Sequence, residues 1–185
     1  MTKTDPIRLT DDEARRLARE LIDSARFAAL AVLVDARPFV TRVALSTTPD
    51  GAPLTLVSDL SAHTRALRAA PQASLLVGEP GDKGDPLTHP RLTLDCTARF
   101  LAKDDALRAH YLATHPKAKL YIDFADFNFV GFEVEAGHLN GGFGKAFRLT
   151  PADLAPTGQP PAPGAGCFLF RGDRPCRASD AGRYA

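Results

Sequence analysis

The connections between the strand-like segments of residues 28–58 are the feature that most constrains the fold. The segment "AALAVLVD" is apolar throughout, "PFVTRVALST" is rich in β-branched residues, and the turn "TPDGAP" leads into "LTLVSDL". These connections are too short to hold a crossover helix, which parallel strands require. The strands are therefore predicted to pair antiparallel, which disfavours a doubly wound Rossmann-type sheet.

Helical and strand-like patterns alternate along the remainder of the chain. Apolar residues recur at helical spacing in residues 9–28, 61–70 and 104–118, with Thr10 or Asp11 placed to cap the first helix. Further strands are predicted at 72–78, 91–102 and 127–139, with a loop at 79–90. Five or six strands with few long helices predict a closed barrel, a mainly β fold with peripheral helices.

Length and charge limit the number of domains and the class of partner. At 185 residues and 44% hydrophobic content, the chain is predicted to bury one core in one compact unit. Lysine and arginine total 23 against 22 aspartate and glutamate, so no global field favours nucleic acid or an anionic membrane. The sequence holds no apolar run of the roughly 20 residues that span a bilayer and starts without a secretion-signal pattern. A cytoplasmic protein without nucleic-acid or membrane partners is predicted.

Motifs of common hydrolases, metalloenzymes and nucleotide-binding proteins are missing from the sequence. The five histidines form no HExxH pair, and no GxSxG elbow surrounds a serine. The segment "GGFGKA" lacks the glycine spacing of a phosphate-binding loop and has Ala146 where a magnesium-binding Ser or Thr would stand. Cys96, Cys167 and Cys176 are an odd number without CxxC spacing, so neither a disulfide framework nor a zinc site is predicted.

The composition of the chain changes near residue 155. Of the last thirty residues, ten are Pro or Gly, and the apolar residues cluster in "CFLF" at 167–170. Such a composition buries too little surface to offset the entropy of ordering. Residues 10–154 are therefore predicted to form the folded domain and residues 155–185 a disordered tail, with a partner-binding peptide anchored by Phe168–Phe170 as the alternative.

Three ordered motifs carry a resemblance to a known superfamily. They are "VSDLSAHTRALRAAPQASLL", "HPRLTLDCTA" and "VEAGHLNGGFGKAFRLTPADL". Residues 10–150 resemble the FMN-binding split-barrel superfamily of pyridoxamine 5′-phosphate oxidase, and the three motifs resemble its heme-utilisation (HugZ-like) branch. The resemblance implies a split β-barrel and a homodimer that binds FMN in a cleft between the subunits.

The resemblance also implies a set of cofactor-binding residues. They are Thr41, Arg42, Val43 and Ser46 on the strand under the flavin, Ser58 at the end of the next strand, His63 and Thr64 at the phosphate turn, Arg91 at a flavin-contacting position, and Asn140, Gly141 and Gly142 in the glycine-rich connection. Strand alternation predicts that Thr41 and Val43 lie on one face and Arg42 on the other. No catalytic side chain is implied, because the flavin supplies the electron chemistry.

Several positions depart from the pattern of the oxidases. Thr41 and His63 stand where the oxidases generally have a phosphate-binding arginine and lysine, and Arg91 replaces a flavin-contacting glutamine. Cys96 occupies a position where the heme-utilisation branch usually has glycine, so a larger side chain is expected to crowd the approach to the cofactor. His63 is expected to bind phosphate best when protonated, which makes FMN affinity dependent on pH.

Two interpretations of residues 135–150 stay open. The "NGG" that follows a strand is a turn signal in which glycine supplies positive φ, and it predicts a hairpin that returns along "KAFRLT". Alternatively, residues 140–144 line the cofactor cleft, where the absence of Cβ lets backbone amides approach a flat ligand. After this segment, Thr150 is predicted to cap a short helical turn with Pro151 at its first position.

The sequence supports three hypotheses of function. The first is an FMN-dependent redox protein of unidentified substrate. The second is a heme-binding or heme-degrading protein of the heme-utilisation type, with His138 as a candidate axial ligand. The third is a barrel dimer without cofactor that serves as an interaction module.

Overall fold

The computed structural model describes residues 7–156, which form nine strands, three α-helices and three short 3-10 helices. The strands are β1 (Ile7–Arg8), β2 (Phe27–Val34), β3 (Arg37–Ala44), β4 (Ser46–Thr47), β5 (Pro53–Ser58), β6 (Gln72–Val77), β7 (Arg91–Leu101), β8 (Phe127–Asn140) and β9 (Ala146–Leu149). The α-helices are α1 (Asp12–Ser24), α2 (Ala62–Ala69) and α3 (Asp105–Thr114). The 3-10 helices are Pro86–Thr88, Pro116–Leu120 and Pro151–Leu154.

The nine strands form one sheet in which antiparallel pairing dominates, as the short connections predict. Strand β8 is 14 residues long and pairs with β7 along one edge. On its other edge, β8 pairs with β5 near its beginning and with β9 near its end. Beyond β7 the order continues through β6 and β2 to β3, and only β1 with β9 is parallel among the described strands. The predicted mainly β fold with peripheral helices is confirmed.

The barrel is split, which confirms the split β-barrel that the resemblance implies, whereas the closed barrel predicted from the strand pattern alone is wrong. Strand β3 pairs with β2, whereas β4 pairs with β5, and no ladder among residues 7–156 joins β3 to β5. The chain passes from the β2–β3 pairing to the β4–β5 pairing at Leu45, which is fully buried. The Thr55 hydroxyl donates a 2.6 Å hydrogen bond to the Ala44 carbonyl, so a side chain bridges the gap that ladder bonds leave open.

Two apolar clusters hold the fold together. The larger fills the barrel interior, where Leu92, Leu94 and Cys96 share the inward face of β7 as predicted. The smaller lies on the outer side of β5 and β8 beneath α3, around Tyr111 and Phe129. Because both faces of β8 are covered here, residues 129–132 are all buried, and the simple alternation predicted for this strand does not appear in its exposure.

The helix termini follow their capping residues. Asp11, one of the two predicted caps of α1, accepts a 2.8 Å hydrogen bond from the Ala14 amide, and Asp104 accepts a 2.7 Å bond from the Leu107 amide of α3. The predicted Thr150 cap is confirmed as a capping box with Asp153 at the 3-10 helix Pro151–Leu154. Helix α2 differs, because the side chain of its N-cap Ser61 makes no capping hydrogen bond.

The glycine-rich segment after β8 is a hairpin. The Gly141 amide donates to the Lys145 carbonyl at 2.7 Å, and β9 returns antiparallel along β8. Gly142 adopts φ +112° and Gly144 φ +68°, backbone conformations that favour glycine. The hairpin interpretation of this segment is confirmed.

Most of the predicted tail, residues 157–185, lies outside the described residues. Within residues 7–156, no helix combines the length and apolar character needed to span a membrane.

Candidate functional site

The first backbone amides of α2, within the predicted site, have no side-chain cap. A helix leaves its first backbone amides without intrahelical acceptors unless a side chain caps them. The first turn of α2 has neither a side-chain cap nor an acidic residue, whereas α1 and α3 each have an aspartate cap. These amides and the partial positive charge of the helix end can receive an anion.

Two of the predicted phosphate-binding hydroxyls at this helix are already engaged within the protein. Thr64 is fully buried, and its hydroxyl donates to the Ser58 carbonyl at 2.7 Å. The Ser58 hydroxyl donates to the Asp126 carboxylate at 2.7 Å and accepts from the Leu60 amide at 3.2 Å. Both residues therefore shape the turn, while the Ser61 hydroxyl, which sequence reasoning missed, stands at the open helix end. An N-cap serine in "DLSAHT" was the available signal for it.

His63 lies in the first turn of the same helix. The side chain is half-buried, and burial lowers the pKa of its imidazole below the usual value. In the protein alone, the ring is thus predominantly neutral at neutral pH. A bound phosphate dianion would act against burial and favour the protonated ring.

The predicted residues of β3 point to two different faces. Val43 is buried in the barrel interior, and Thr41, which lies on the same face of the strand, is half-buried. Arg42 is exposed on the opposite face, with its guanidinium 4.9 Å from the centre of the Phe27 ring. Strand alternation is confirmed, and it separates Arg42 from Thr41 and Val43.

Ser46 lies on β4, next to the split of the barrel. It lies buried on β4, and its hydroxyl donates to the Thr114 hydroxyl at the end of α3 at 3.1 Å. This contact ties β4 to α3. The structure therefore gives Ser46 a packing role at the split of the barrel.

The remaining predicted residues form a second group at the β8–β9 hairpin. Arg91 lies opposite Asn140 in the β7–β8 register, and its guanidinium donates to the Leu87 carbonyl at 3.0 Å. The Asn140 side chain accepts from the Gly142 amide at 3.0 Å, next to Gly141. Strands β6 and β2 separate this group from β3, a distance on the order of 14 Å at a strand spacing of about 4.8 Å.

A hydrogen-bonded group on the outer face of the sheet includes one predicted residue and two that sequence reasoning missed. His138 Nε2 lies 2.9 Å from an Asp95 carboxylate oxygen, and the Ser74 hydroxyl donates to the other oxygen at 3.2 Å. Ser74, Asp95 and His138 come from the neighbouring strands β6, β7 and β8. The alternation of β7 placed Asp95 outward, but only the strand register shows that His138 meets it.

Cys96 does not crowd this outer face. Its side chain is buried in the barrel interior, and a register shift in the β7–β8 ladder falls between Asp95 and Cys96. Burial, reinforced by the nearby Asp95 and Glu135 carboxylates, raises the pKa of the thiol to about 12. The thiol lies inside the barrel, and the expectation that Cys96 crowds the approach to the cofactor stays a prediction.

The outer face next to these polar residues is apolar. Leu33, Val40 and Leu76 on β2, β3 and β6 are 49%, 63% and 43% exposed. In the strand order, Leu33 and Leu76 lie between Arg42 and the Asp95–His138 pair, and Val40 shares β3 with Arg42. The described residues contain no cluster of His, Cys, Asp and Glu suited to holding a metal ion by themselves.

Residues 9–154 match the family model described as "CREG, beta-barrel". The chain is 40% identical over 101 residues to the "Non-canonical heme oxygenase HOZ, chloroplastic" of Arabidopsis thaliana, a match that covers 53% of this chain and 30% of the plant protein. A heme-binding protein from Mycobacterium smegmatis superposes with a TM-score of 0.71 at 31% identity, over 79% of this chain and 61% of that one.

A third relative supports the fold alone. Campylobacter jejuni ChuZ superposes with a TM-score of 0.71 at 18% identity, over 80% of this chain and 63% of that chain. The family model spans most of the sequence, and it coincides with the split barrel and the motifs described above. The chain therefore belongs to the CREG β-barrel family, within the split-barrel superfamily of pyridoxamine 5′-phosphate oxidase.

Proposed function

We propose that this protein is a cytoplasmic redox protein that binds FMN between two copies of the chain. The observation that carries the proposal is the uncapped N-terminus of α2, flanked by Ser61 and His63, in a family built on a flavin-binding fold. Helix N-termini of this kind receive phosphate through backbone amides and the helix dipole. The flavin supplies the electron transfer when bound, and the chain supplies binding, orientation and exclusion of water.

The separation of the predicted residues supports a site shared between subunits. Within one chain, β2 and β6 separate the predicted residues of β3 from the Arg91–Asn140 group. A two-fold dimer presents the same patch of both copies to each other, so one group of each copy can face the other group of its partner. The exposed Leu33, Val40 and Leu76 give this face the apolar surface that such an interface buries.

The pH dependence of FMN binding tests the role of His63. Because burial lowers its pKa in the unliganded protein and phosphate would raise it, binding takes up a proton between those two pKa values. FMN affinity is therefore expected to rise as the pH falls from about 8 to about 6, and His63→Gln is expected to lose most of that rise. Fluorescence titration of FMN at several pH values measures the affinity of both the native chain and His63→Gln.

Two controls define that experiment. His110→Gln alters a half-exposed histidine on α3 and is expected to keep the native pH dependence. Riboflavin, which lacks the phosphate, is expected to bind with little pH dependence in the native chain. Equal weakening of FMN by His63→Gln at both ends of the pH range would remove His63 from the phosphate site.

Heme binding is the second candidate, and the Asp95–His138 pair favours it. Histidines that ligate metals commonly hold their second ring nitrogen against a carboxylate, which fixes the ring and raises its basicity. His138 Nε2 has this partner at 2.9 Å, and Nδ1 has no hydrogen-bond partner among the described residues. Relatives described as a heme oxygenase and a heme-binding protein add support.

Hemin titration separates this candidate from the flavin proposal. If His138 is the axial ligand, addition of hemin gives a retained Soret band that His138→Ala abolishes and Asp95→Asn shifts. The matched variant His110→Ala is expected to leave the band unchanged, because His110 lies on α3 outside this face. A Soret band that persists unchanged in His138→Ala would exclude His138 as the ligand.

A further inference from the structure

A large apolar cleft lies apart from both candidate cofactor sites. It has a volume of about 620 Å³ and runs between α1, the β4–β5 turn, the end of β7 and the middle of β8. Its apolar walls include Ile22, Pro53, Phe100, Leu101, Phe132 and Leu154. None of the residues assigned above to FMN or heme lines it.

The described part of the chain ends at the rim of this cleft, where several contacts hold residues 150–156 in place. The capping box at Thr150 and the 2.7 Å Arg15–Asp153 ion pair fasten the 3-10 helix Pro151–Leu154 to α1. The buried Arg19 guanidinium donates to the Gly51 carbonyl at 3.0 Å and to the Leu154 carbonyl at 3.2 Å. Pro156 then packs against Gly51 and forms part of the cleft wall.

The sequence that follows is suited to return to the cleft. Residues 157–166 contain no large apolar side chain, and Cys167–Phe170 is the apolar cluster of the segment. Ten residues reach at most about 33–36 Å when extended, and a tether of this length gives a neighbouring site a high effective concentration. Arg171 comes next, and Asp50 at the cleft rim forms no ion pair within residues 7–156.

We propose that the segment Cys167–Phe170 docks into this cleft of its own chain. Phe168 and Phe170 then cover the apolar wall around Phe100 and Phe132, and Arg171 lies near Asp50. Large aromatic side chains that enter an apolar pocket supply most of the stability of such contacts.

A nitroxide label beside the segment tests the docking in the full chain. Cys167→Ala and Cys176→Ser remove the two reactive thiols, and Gly172→Cys provides one labelling position. Cys96 stays unlabelled because it is buried and its pKa is raised to about 12. The amide resonances of Gly51, Leu101 and Gly131 at the cleft are expected to lose most of their intensity. Those of Leu33 and Val40 on the outer face are expected to keep theirs.

Matched variants decide the interpretation. Phe168→Ser with Phe170→Ser is expected to restore the cleft resonances, whereas Tyr184→Ser, which alters an aromatic residue outside the cluster, is expected to leave them attenuated. Cleft resonances that keep full intensity in the labelled native segment would overturn the proposal. In a mixture of nitroxide-labelled chains and isotope-labelled chains without nitroxide, attenuation of the cleft resonances would also overturn the proposal. The segment in the cleft would then come from a second copy.

Discussion

Gly78→Ala is expected to lower the free energy of unfolding by about 2–5 kcal/mol. Gly78 ends β6 at φ +95°, a conformation that costs a residue with Cβ about 1–2 kcal/mol. A Cβ atom there would lie 2.5 Å from the Pro90 carbonyl oxygen and 2.8 Å from the Arg91 Cα. Both are backbone atoms, so the start of β7 must shift, at a further cost of about 1–3 kcal/mol.

Gly84→Ala is the matched control for this prediction. Gly84 has a similar φ of +89°, but a Cβ there would meet only the His89 ring at 3.8 Å. Its expected cost is therefore the backbone cost alone, about 1–2 kcal/mol. Urea denaturation of both variants measures the difference. Equal destabilisation would show that the contact with Pro90 and Arg91 relaxes without cost.

Ser61→Asp is expected to weaken FMN binding by about 10- to 100-fold while leaving riboflavin binding unchanged. The substitution places a negative charge where the phosphate, itself carrying about −1.5 to −2 charges, would meet the α2 amides. Loss of hydrogen bonds to a charged group costs about 1.5–3 kcal/mol, and about 1.4 kcal/mol is tenfold in affinity. Fluorescence titration with each flavin measures the change.

Ser61→Asn separates charge from capping. Asparagine, aspartate and serine rank comparably as N-cap residues, so both variants are expected to leave the stability of α2 in the unliganded protein close to the native value. Only the aspartate introduces a charge, and Ser61→Asn is thus expected to keep FMN affinity within a few-fold of the native value. If both variants bind FMN like the native chain, the phosphate does not lie at the beginning of α2.

The sequence predicts most of the fold because the spacing of apolar residues in each segment matches the side chains that are buried in the structure. The helical spacing of α1 and the alternation of Leu92, Leu94 and Cys96 are both reproduced. The resemblance implies a split barrel, but the position of the split at Leu45 could not be predicted, because it depends on which partner strands β3 and β4 find. The exposure pattern of β8 also needed the structure, since the packing of α3 on its outer face is a long-range contact.

The candidate site is less predictable from the sequence, because residues that match a cofactor-binding motif also make structural contacts within the protein. Thr64 and Ser58 match the motif, yet their hydroxyls are occupied by contacts within the turn. The pairing of Asp95 with His138 depends on the β7–β8 register, which a single sequence does not reveal. The first amides of α2 are uncapped because the Ser61 side chain makes no capping hydrogen bond. The sequence alone does not predict this, since serine is a favourable N-cap residue.

The most direct measurement is the visible absorption spectrum of the purified full chain after incubation with FMN or, separately, with hemin. Gel filtration with light scattering removes unbound ligand and gives the mass of the coloured species. The flavin proposal predicts retained flavin bands on a particle of twice the chain mass. A Soret band retained without flavin bands would contradict it in favour of heme. A chain that stays colourless with both ligands would contradict both and support a barrel that serves as an interaction module.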